Sequence, residues 1–318
     1  MTTRTAIAVG AILMAGTASA AAQNVGIGTT KGGATAQVSA AIAKVASAKS
    51  DLTVRPQPYG NTSQYIPLVN AGRIEFGVSN IFQAWYAVKG TGMSEGRPNP
   101  NLRMVAVLFP FRIALYVSQK SGIKTLADLK GKKMPGFRKG ALGNYIVNAF
   151  FANAGLKYAD ATYVRIPNFP RMWDGFKRGT IDAAIAAVGS KPTFEMQASV
   201  GPVRALGVDP DPKAMDALRK WLPQAYPLPM KASKRLPGLE ADKNILAFDY
   251  MLFAGKDVSD ETVYKMVKAL HDNQADMRAA APLWRLFKSS GMGKDVGLEF
   301  HPGAIKFYKE KGIWQGSK

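Results

Sequence analysis

Leu68-Val69-Asn70-Ala71-Gly72-Arg73-Ile74-Glu75-Phe76-Gly77-Val78 and Phe176-Lys177-Arg178-Gly179-Thr180-Ile181-Asp182-Ala183-Ala184-Ile185 spell one pattern twice: the end of a helix, a stop, a strand. Gly72 and Gly179 suit the left-handed residue that ends a helix, Ile74 and Ile181 open the strand, and Glu75 and Asp182 sit just inside it. A chain that repeats this unit is read as two α/β lobes. Between the copies runs an apolar double segment, Leu102 to Phe109, then Pro110, then Phe111 to Val117, as expected of an extended segment carrying the chain from one lobe to the other. A second crossing near Asn244 to Phe253 returns it. The expected division is residues 23–110 with about 250–318 as lobe 1 and about 111–249 as lobe 2.

Short apolar runs alternating with amphipathic segments extend this reading to the rest of the chain. Strands are expected at Val25 to Thr29, Leu52 to Arg55, Ile74 to Val78, Met104 to Phe109, Ile113 to Val117, Thr162 to Ile166, Ile181 to Ala186 and Val203 to Gly207. The clearest helices are Thr35 to Ala48, Thr62 to Ala71, Leu142 to Ala154 and Glu261 to Met277, the last with Val263, Met266, Val267 and Leu270 at helical spacing.

The 318 residues contain no cysteine, which excludes disulfide frameworks, thiolate metal sites and cysteine nucleophiles. With only His271 and His301 as imidazoles and no G-x-S-x-G elbow, neither a catalytic zinc site nor a serine triad is legible. His301-Pro302-Gly303 reads as a turn opening a terminal helix. No cofactor is expected. The first 22 residues read as a signal peptide: Arg4, an apolar stretch from Ala6 to Ala15, then small residues offering cleavage after Ala20 or Ala22. An exported, periplasmic protein is the expectation. Net charge is +20, and removing Arg4 leaves 41 basic against 22 acidic residues, or +19. Its basic residues are dispersed, with Lys130 to Lys133 and Lys231 to Arg235 the densest clusters, so a solvated surface that attracts small anions is favoured over nucleic-acid binding.

The glycine-rich start, Gly26-Ile27-Gly28-Thr29-Thr30-Lys31-Gly32-Gly33-Ala34-Thr35, lies between a strand and a helix. As a dinucleotide fingerprint it fails, because Lys31 stands where the third glycine belongs and Asp51 precedes the second strand. As a P-loop it lacks the lysine after Gly33. It reads either as an anion loop whose amides face a small ligand or as a tight strand-to-helix turn.

Ser121 to Lys132, Leu68 to Gly72, Asn148 to Leu156 and above all the ending His301-Pro302-Gly303-Ala304-Ile305-Lys306-Phe307-Tyr308-Lys309-Glu310-Lys311-Gly312 resemble the TAXI-type solute-binding proteins of TRAP transporters. The resemblance implies a two-lobed periplasmic binding protein fold, type II-like, each lobe a central sheet flanked by helices and the two joined by crossing strands. It further implies a monomeric receptor that captures a small solute, a carboxylate or amino acid, between the lobes and delivers it to the TRAP permease subunits.

Carried over by position, that family's ligand-facing segments fall on strand-to-helix loops. Lobe 1 supplies Thr30, Lys31, Gly32, Gly33 and Thr35, then Tyr59, Asn61, Thr62 and Ser63, then Ser79 and Asn80. Lobe 2 supplies Phe137, Arg138 and Lys139, followed by Gly140, and Gly189 and Ser190. Open α/β sheets bind ligands outside the carboxyl ends of their strands, which suits all of these positions. Relatives follow the first loop's threonine with two tyrosines, whereas here Thr35 precedes Ala36 and Gln37, so the pocket wall differs. Tyr59 and Phe137 read equally as packing aromatics, Arg138-Lys139 equally as a solvated pair, and Arg112 faces either cleft or solvent. The competing class is an exported α/β enzyme acting on a small anionic metabolite, which needs a polarised nucleophile or paired carboxylates that the sequence does not place.

Overall fold

The computed structural model describes residues 23–316, so the expected signal peptide lies outside the described residues. The first half builds β1 (Gln23–Thr30), α1 (Gly33–Lys49), β2 (Leu52–Tyr59), α2 (Thr62–Asn70), β3 (Phe76–Asn80) and α3 (Ile81–Lys89). A long strand, β4 (Leu102–Ser118), then leads to β5 (Lys133–Gly136), α4 (Leu142–Asn153), β6 (Thr162–Arg165), α5 (Phe169–Lys177), β7 (Ala183–Ala187), α6 (Lys191–Val200), β8 (Val203–Leu206), α7 (Pro212–Arg219) and β9 (Tyr226–Met230). The second long strand, β10 (Lys243–Gly255), returns to α8 (Asp260–Asp272), α9 (Gln274–Ala280) and α10 (Pro302–Glu310). This is an α/β fold with a mixed sheet flanked by helices.

β1 pairs in parallel with β2 and β3, and β3 runs antiparallel to β10, giving the order β2-β1-β3-β10-β4-β7 in the main sheet. β5 and β6 form a parallel pair of their own, held to β7 by the Asp182 amide donating to the Lys133 carbonyl at 2.8 Å. The two βαβαβ units are therefore copies in topology as well as in sequence. The acidic residue of each copy stands one position ahead of its strand, at Glu75 and Asp182, rather than inside it. Its job is the same in both. A Glu75 carboxylate oxygen accepts the Gly26 amide of β1 at 2.6 Å, and an Asp182 oxygen accepts the Lys133 amide of β5 at 2.7 Å. Each carboxylate thus pins the neighbouring first strand through a charge-assisted hydrogen bond.

Close packing on β1 needs its glycines. Gly28 pairs with Gly77 across β1 and β3, and a Cβ at Gly28 would come within 2.7 Å of the Tyr65 ring, one at Gly77 within 2.6 Å of Phe253. Tyr65 is fully buried there and donates to the Val78 carbonyl.

β4 is one continuous strand of 17 residues, not two segments parted by Pro110. Away from its ends, at Arg103 and Ser118, it is buried except at Pro110, Phe111 and Arg112, where it passes from the β1–β3 unit to the β5–β7 unit. Proline cannot donate to a ladder, and it is tolerated here because β10 opposite shifts register between Tyr250 and Met251, one residue past the Pro110–Asp249 pair. The expected helix Glu261 to Met277 is instead α8 and α9, broken at Asn273 (φ −118°, ψ 42°), whose side-chain amide turns back to the Ala269 carbonyl. Replacing Glu75 by Ala is expected to lower the unfolding free energy by about 1–3 kcal/mol in urea titrations, with Glu75→Gln recovering most of it. Asp182→Ala should act in the same direction.

Candidate functional site

Strand register locates the site. Asn80, the carboxyl end of β3, lies opposite Tyr250, which pairs on its other side with Phe109 of β4. Ala187, the carboxyl end of β7, lies opposite Ile113 of the same strand, and β7 runs against β4 whereas β3 runs with it. The two parallel units therefore aim their carboxyl ends at each other across residues 109–113, a span of about 13 Å of strand. The loops after β1, β2 and β3 open on one side of this crevice, those after β5, β6 and β7 on the other.

On the first side the predicted residues form a connected wall. The Lys31 amide donates to the Tyr59 carbonyl at 2.9 Å, tying the first two loops together. Thr30 turns its hydroxyl onto the Gly32 carbonyl at 2.8 Å, and Gly33 takes the left-handed φ of 79° that starts α1. Thr35 and Tyr250 share a 2.6 Å hydrogen bond between hydroxyls. Burial pushes the Tyr250 phenol up to about 12, so it stays protonated at neutral pH. Gln83 of α3 donates to the Thr62 hydroxyl at 2.8 Å and receives the Asn80 side-chain amide at 3.2 Å, which fixes Asn80 from below. Ser63 donates to the Asn61 side-chain oxygen at 2.6 Å, and Ser79 is buried with its hydroxyl on the Asn80 carbonyl.

On the second side the residues divide. Phe137 is buried against Phe169, with ring centroids 5.4 Å apart, and over Gly143, so it serves the core. Arg138 and Lys139 are exposed on the rim, on a loop whose Phe137 and Arg138 carbonyls are both held by the Asn144 amide. Gly189 (φ 74°) turns the chain so that Ser190 precedes α6.

The starts of the crevice helices are unusually bare. α1 follows Gly32, α2 Asn61, α4 Ala141 and α6 Ser190, and none of these receives a side-chain cap bond. By contrast α7, α8 and α10 are capped by Asp211, Ser259 and His301, whereas the short α9 is not. Among the crevice helices α5 is capped by Asn168, and α3 opens on a reciprocal capping box between Asn80 and Gln83. Uncapped amides carry the positive end of the helix dipole and suit an anionic or hydrogen-bond-accepting group. A side chain at the end of β7 adds to this: the Ser190 hydroxyl is buried with no hydrogen-bond partner among the described residues.

Sequence reasoning missed three residues on the crossing strands. Tyr250 and Phe111 form its aromatic floor, with centroids 5.5 Å apart. Asp249, 5% exposed, accepts from Tyr226 of β9 at 2.8 Å and from Lys294 at 2.7 Å, tying three distant segments together where the strands cross. A cavity of about 240 Å³ lies beside this cluster, lined by Arg219, Tyr226, Asp249 and Lys294 among others, and one of about 450 Å³ lies between Gln119, Gln197 and Leu236 to Glu240. Neither takes in a predicted loop residue, so the crevice is distinct from both.

The profile of the NMT1-like family matches residues 27–312. Among solved structures, one described as a periplasmic transporter superposes with a TM-score of 0.57 at 15% identity, covering 92% of this chain and 94% of the other. PhnD1 of Prochlorococcus marinus, in complex with methylphosphonate, gives 0.56 at 11% identity over 92% and 99%. A binding-protein component of an ABC phosphonate transporter from Pseudomonas aeruginosa gives 0.50 at 11% over 84% and 81%. At these identities the likeness is one of fold, and it is the fold of periplasmic binding proteins.

Because Tyr250 holds the start of α1 through Thr35, Tyr250→Phe is expected to cost about 1 kcal/mol of stability and to raise hydrogen exchange selectively in the first turn of α1. Exchange that rises evenly over the whole chain would contradict this anchoring role.

Proposed function

This chain belongs to the NMT1-like family, and from that premise we propose that it is the extracytoplasmic receptor of a membrane transport system, capturing a small anionic solute between its two α/β units. One observation carries the reading: the uncapped starts of α1, α2, α4 and α6 and the Ser190 hydroxyl, unpartnered among the described residues, converge from both units on the same few residues of β4. A solute there satisfies polar groups that the fold itself leaves unmatched. Thr30 to Thr35, Tyr59 to Ser63 and Asn80 line one side; Ser190, with Arg138 and Lys139 at the rim, lines the other. Residues 1–22 direct export, and the crossing strands serve as the hinge about which 23–110 with 250–318 closes on 111–249.

The ending from His301 to Gly312 favours a permease of the TRAP class, driven by an ion gradient, and a carboxylate or amino acid as cargo. A second reading comes from the fold relatives, one of which holds methylphosphonate and another of which serves an ABC phosphonate transporter: an oxyanion delivered to an ATP-driven permease.

The test has two steps. Denaturing the purified protein and identifying the released small molecule by mass spectrometry names the solute, and its uptake is then followed in cells with and without this protein. Uptake is expected to require the protein and to collapse with an ionophore; collapse on ATP depletion instead selects the second reading. Uptake that proceeds equally well without the protein would refute the receptor role.

A further inference from the structure

Phe111 stands where β4 passes from one unit to the other, and it is the aromatic residue of that strand that is only half-buried. Strand alternation decides which way it faces. Phe111 pairs with Phe248 and Phe109 with Tyr250, so these four rings share one face of the crossing. The Phe111 ring lies 5.5 Å from Tyr250 and 5.7 Å from Phe248 between centroids. Because the Tyr250 hydroxyl reaches Thr35 in the first turn of α1, this is the face beneath the crevice loops.

The charged residues of the crossing belong to the opposite face. Arg112 pairs with Ala247, which pairs in turn with Tyr226 of β9, and its guanidinium turns to the Met230 thioether at 3.8 Å. Asp249 pairs with Pro110 on that same face and is held by Tyr226 and Lys294. The floor itself is three phenylalanines and a tyrosine whose hydroxyl is already engaged. The walls are one-sided in charge. The strand-end loops 30–35, 59–63, 79–80, 137–141, 166–168 and 188–190 contain Lys31, Arg138 and Lys139 but no aspartate or glutamate. Each unit also brings a half-buried aromatic to these loops, Tyr59 at the end of β2 and Phe169 at the start of α5.

We propose that the cargo is a monocarboxylate with an apolar body and no ammonium group, an aryl or branched-alkyl acid, and that Phe111 selects it as the platform on which the body lies. The proposal rests on the receptor reading and deepens it by naming the class of solute. A ring left half in water at the base of a cleft is apolar surface that an apolar group covers favourably. A dicarboxylate would lay its second charge on an uncharged floor, and an α-amino acid would bring an ammonium to walls without a carboxylate; both leave a desolvated charge unpaired. The carboxylate of the proposed cargo meets the open starts of the crevice helices, where negative charge is favoured.

Isothermal titration tests the class with phenylacetate and 4-methylpentanoate against acetate, succinate, L-glutamate and L-phenylalanine, the last keeping the ring and adding the ammonium. One of the first two is expected to bind at least about 10-fold more tightly than any of the other four. Phe111→Ala is expected to weaken that binding about 10- to 50-fold and Phe111→Leu to retain part of it, while Tyr158→Ala, at an exposed aromatic ahead of β6, leaves it unchanged. A wild type that prefers succinate, L-glutamate or L-phenylalanine overturns the proposed class, and equal affinity in Phe111→Ala overturns the platform; neither touches the uptake test of the receptor role. A second readout needs no ligand. In urea, Phe111→Ala is expected to shift the unfolding midpoint of the ligand-free protein by less than half as much as Phe109→Ala, its fully buried neighbour on the same face. If no probe binds, this result decides: a shift as large as that of Phe109→Ala assigns Phe111 to the core and overturns the proposal.

Discussion

Everything in this molecule hangs on the antiparallel pairing of β4 with β10. Each long strand is central in two sheet regions, so the β1–β3 unit and the β5–β7 unit share their innermost ladder. The consequence is geometric. Strands that approach one strand from opposite directions must end facing each other, and the loops at their carboxyl ends must enclose a crevice. Pro110 to Arg112 is the one part of β4's interior where burial relaxes, because there the partners of one unit have ended and those of the other have begun.

The energetics of the crevice differ from those of the rest of the fold. Of the helices pointing away from it, α7, α8 and α10 are closed by Asp211, Ser259 and His301 while α9 is not, and the buried carboxylate of Asp249 is fully engaged. Around the crevice, the starts of α1, α2, α4 and α6 lack side-chain caps, and the Ser190 hydroxyl is unmatched among the described residues. A protein that rests only on folding would gain stability by capping these helix starts; leaving them open where two units face each other fits a site that a solute completes. Asp249 with Tyr226 and Lys294 adds a rigid pivot beside it, and Tyr86 adds a contact between the units, donating to the Trp221 carbonyl at 2.9 Å.

Much of this was legible in the sequence, for reasons that can be named. The echo around Gly72 and Gly179 was readable because helix stop, strand opening and carboxylate each leave a local signature, and the carboxylates do the same work in both copies. β5 and β9 were not readable: Lys133 to Gly136 is four residues long with a proline, and Tyr226 to Met230 carries two prolines, so neither alternates as a strand should. The loop residues were placed by resemblance and by the strand-end rule. Tyr250, Phe111 and Asp249 escaped notice, because an aromatic or a single acid inside an apolar run looks the same whether it faces core or crevice. Phe137 shows the converse, a loop aromatic that belongs to the core.

The central claim is that the two units close on a solute about the crossing strands. Because the chain has no cysteine, residues introduced at the exposed positions Gln37 on α1 and Lys139 before α4 can be spin-labelled uniquely, and the distance between them measured by double electron–electron resonance with and without the solute recovered from the purified protein. The account predicts that saturating solute shortens and narrows the distance distribution, as ligand binding across a hinge selects the closed state. A distribution that stays the same at saturation would contradict it.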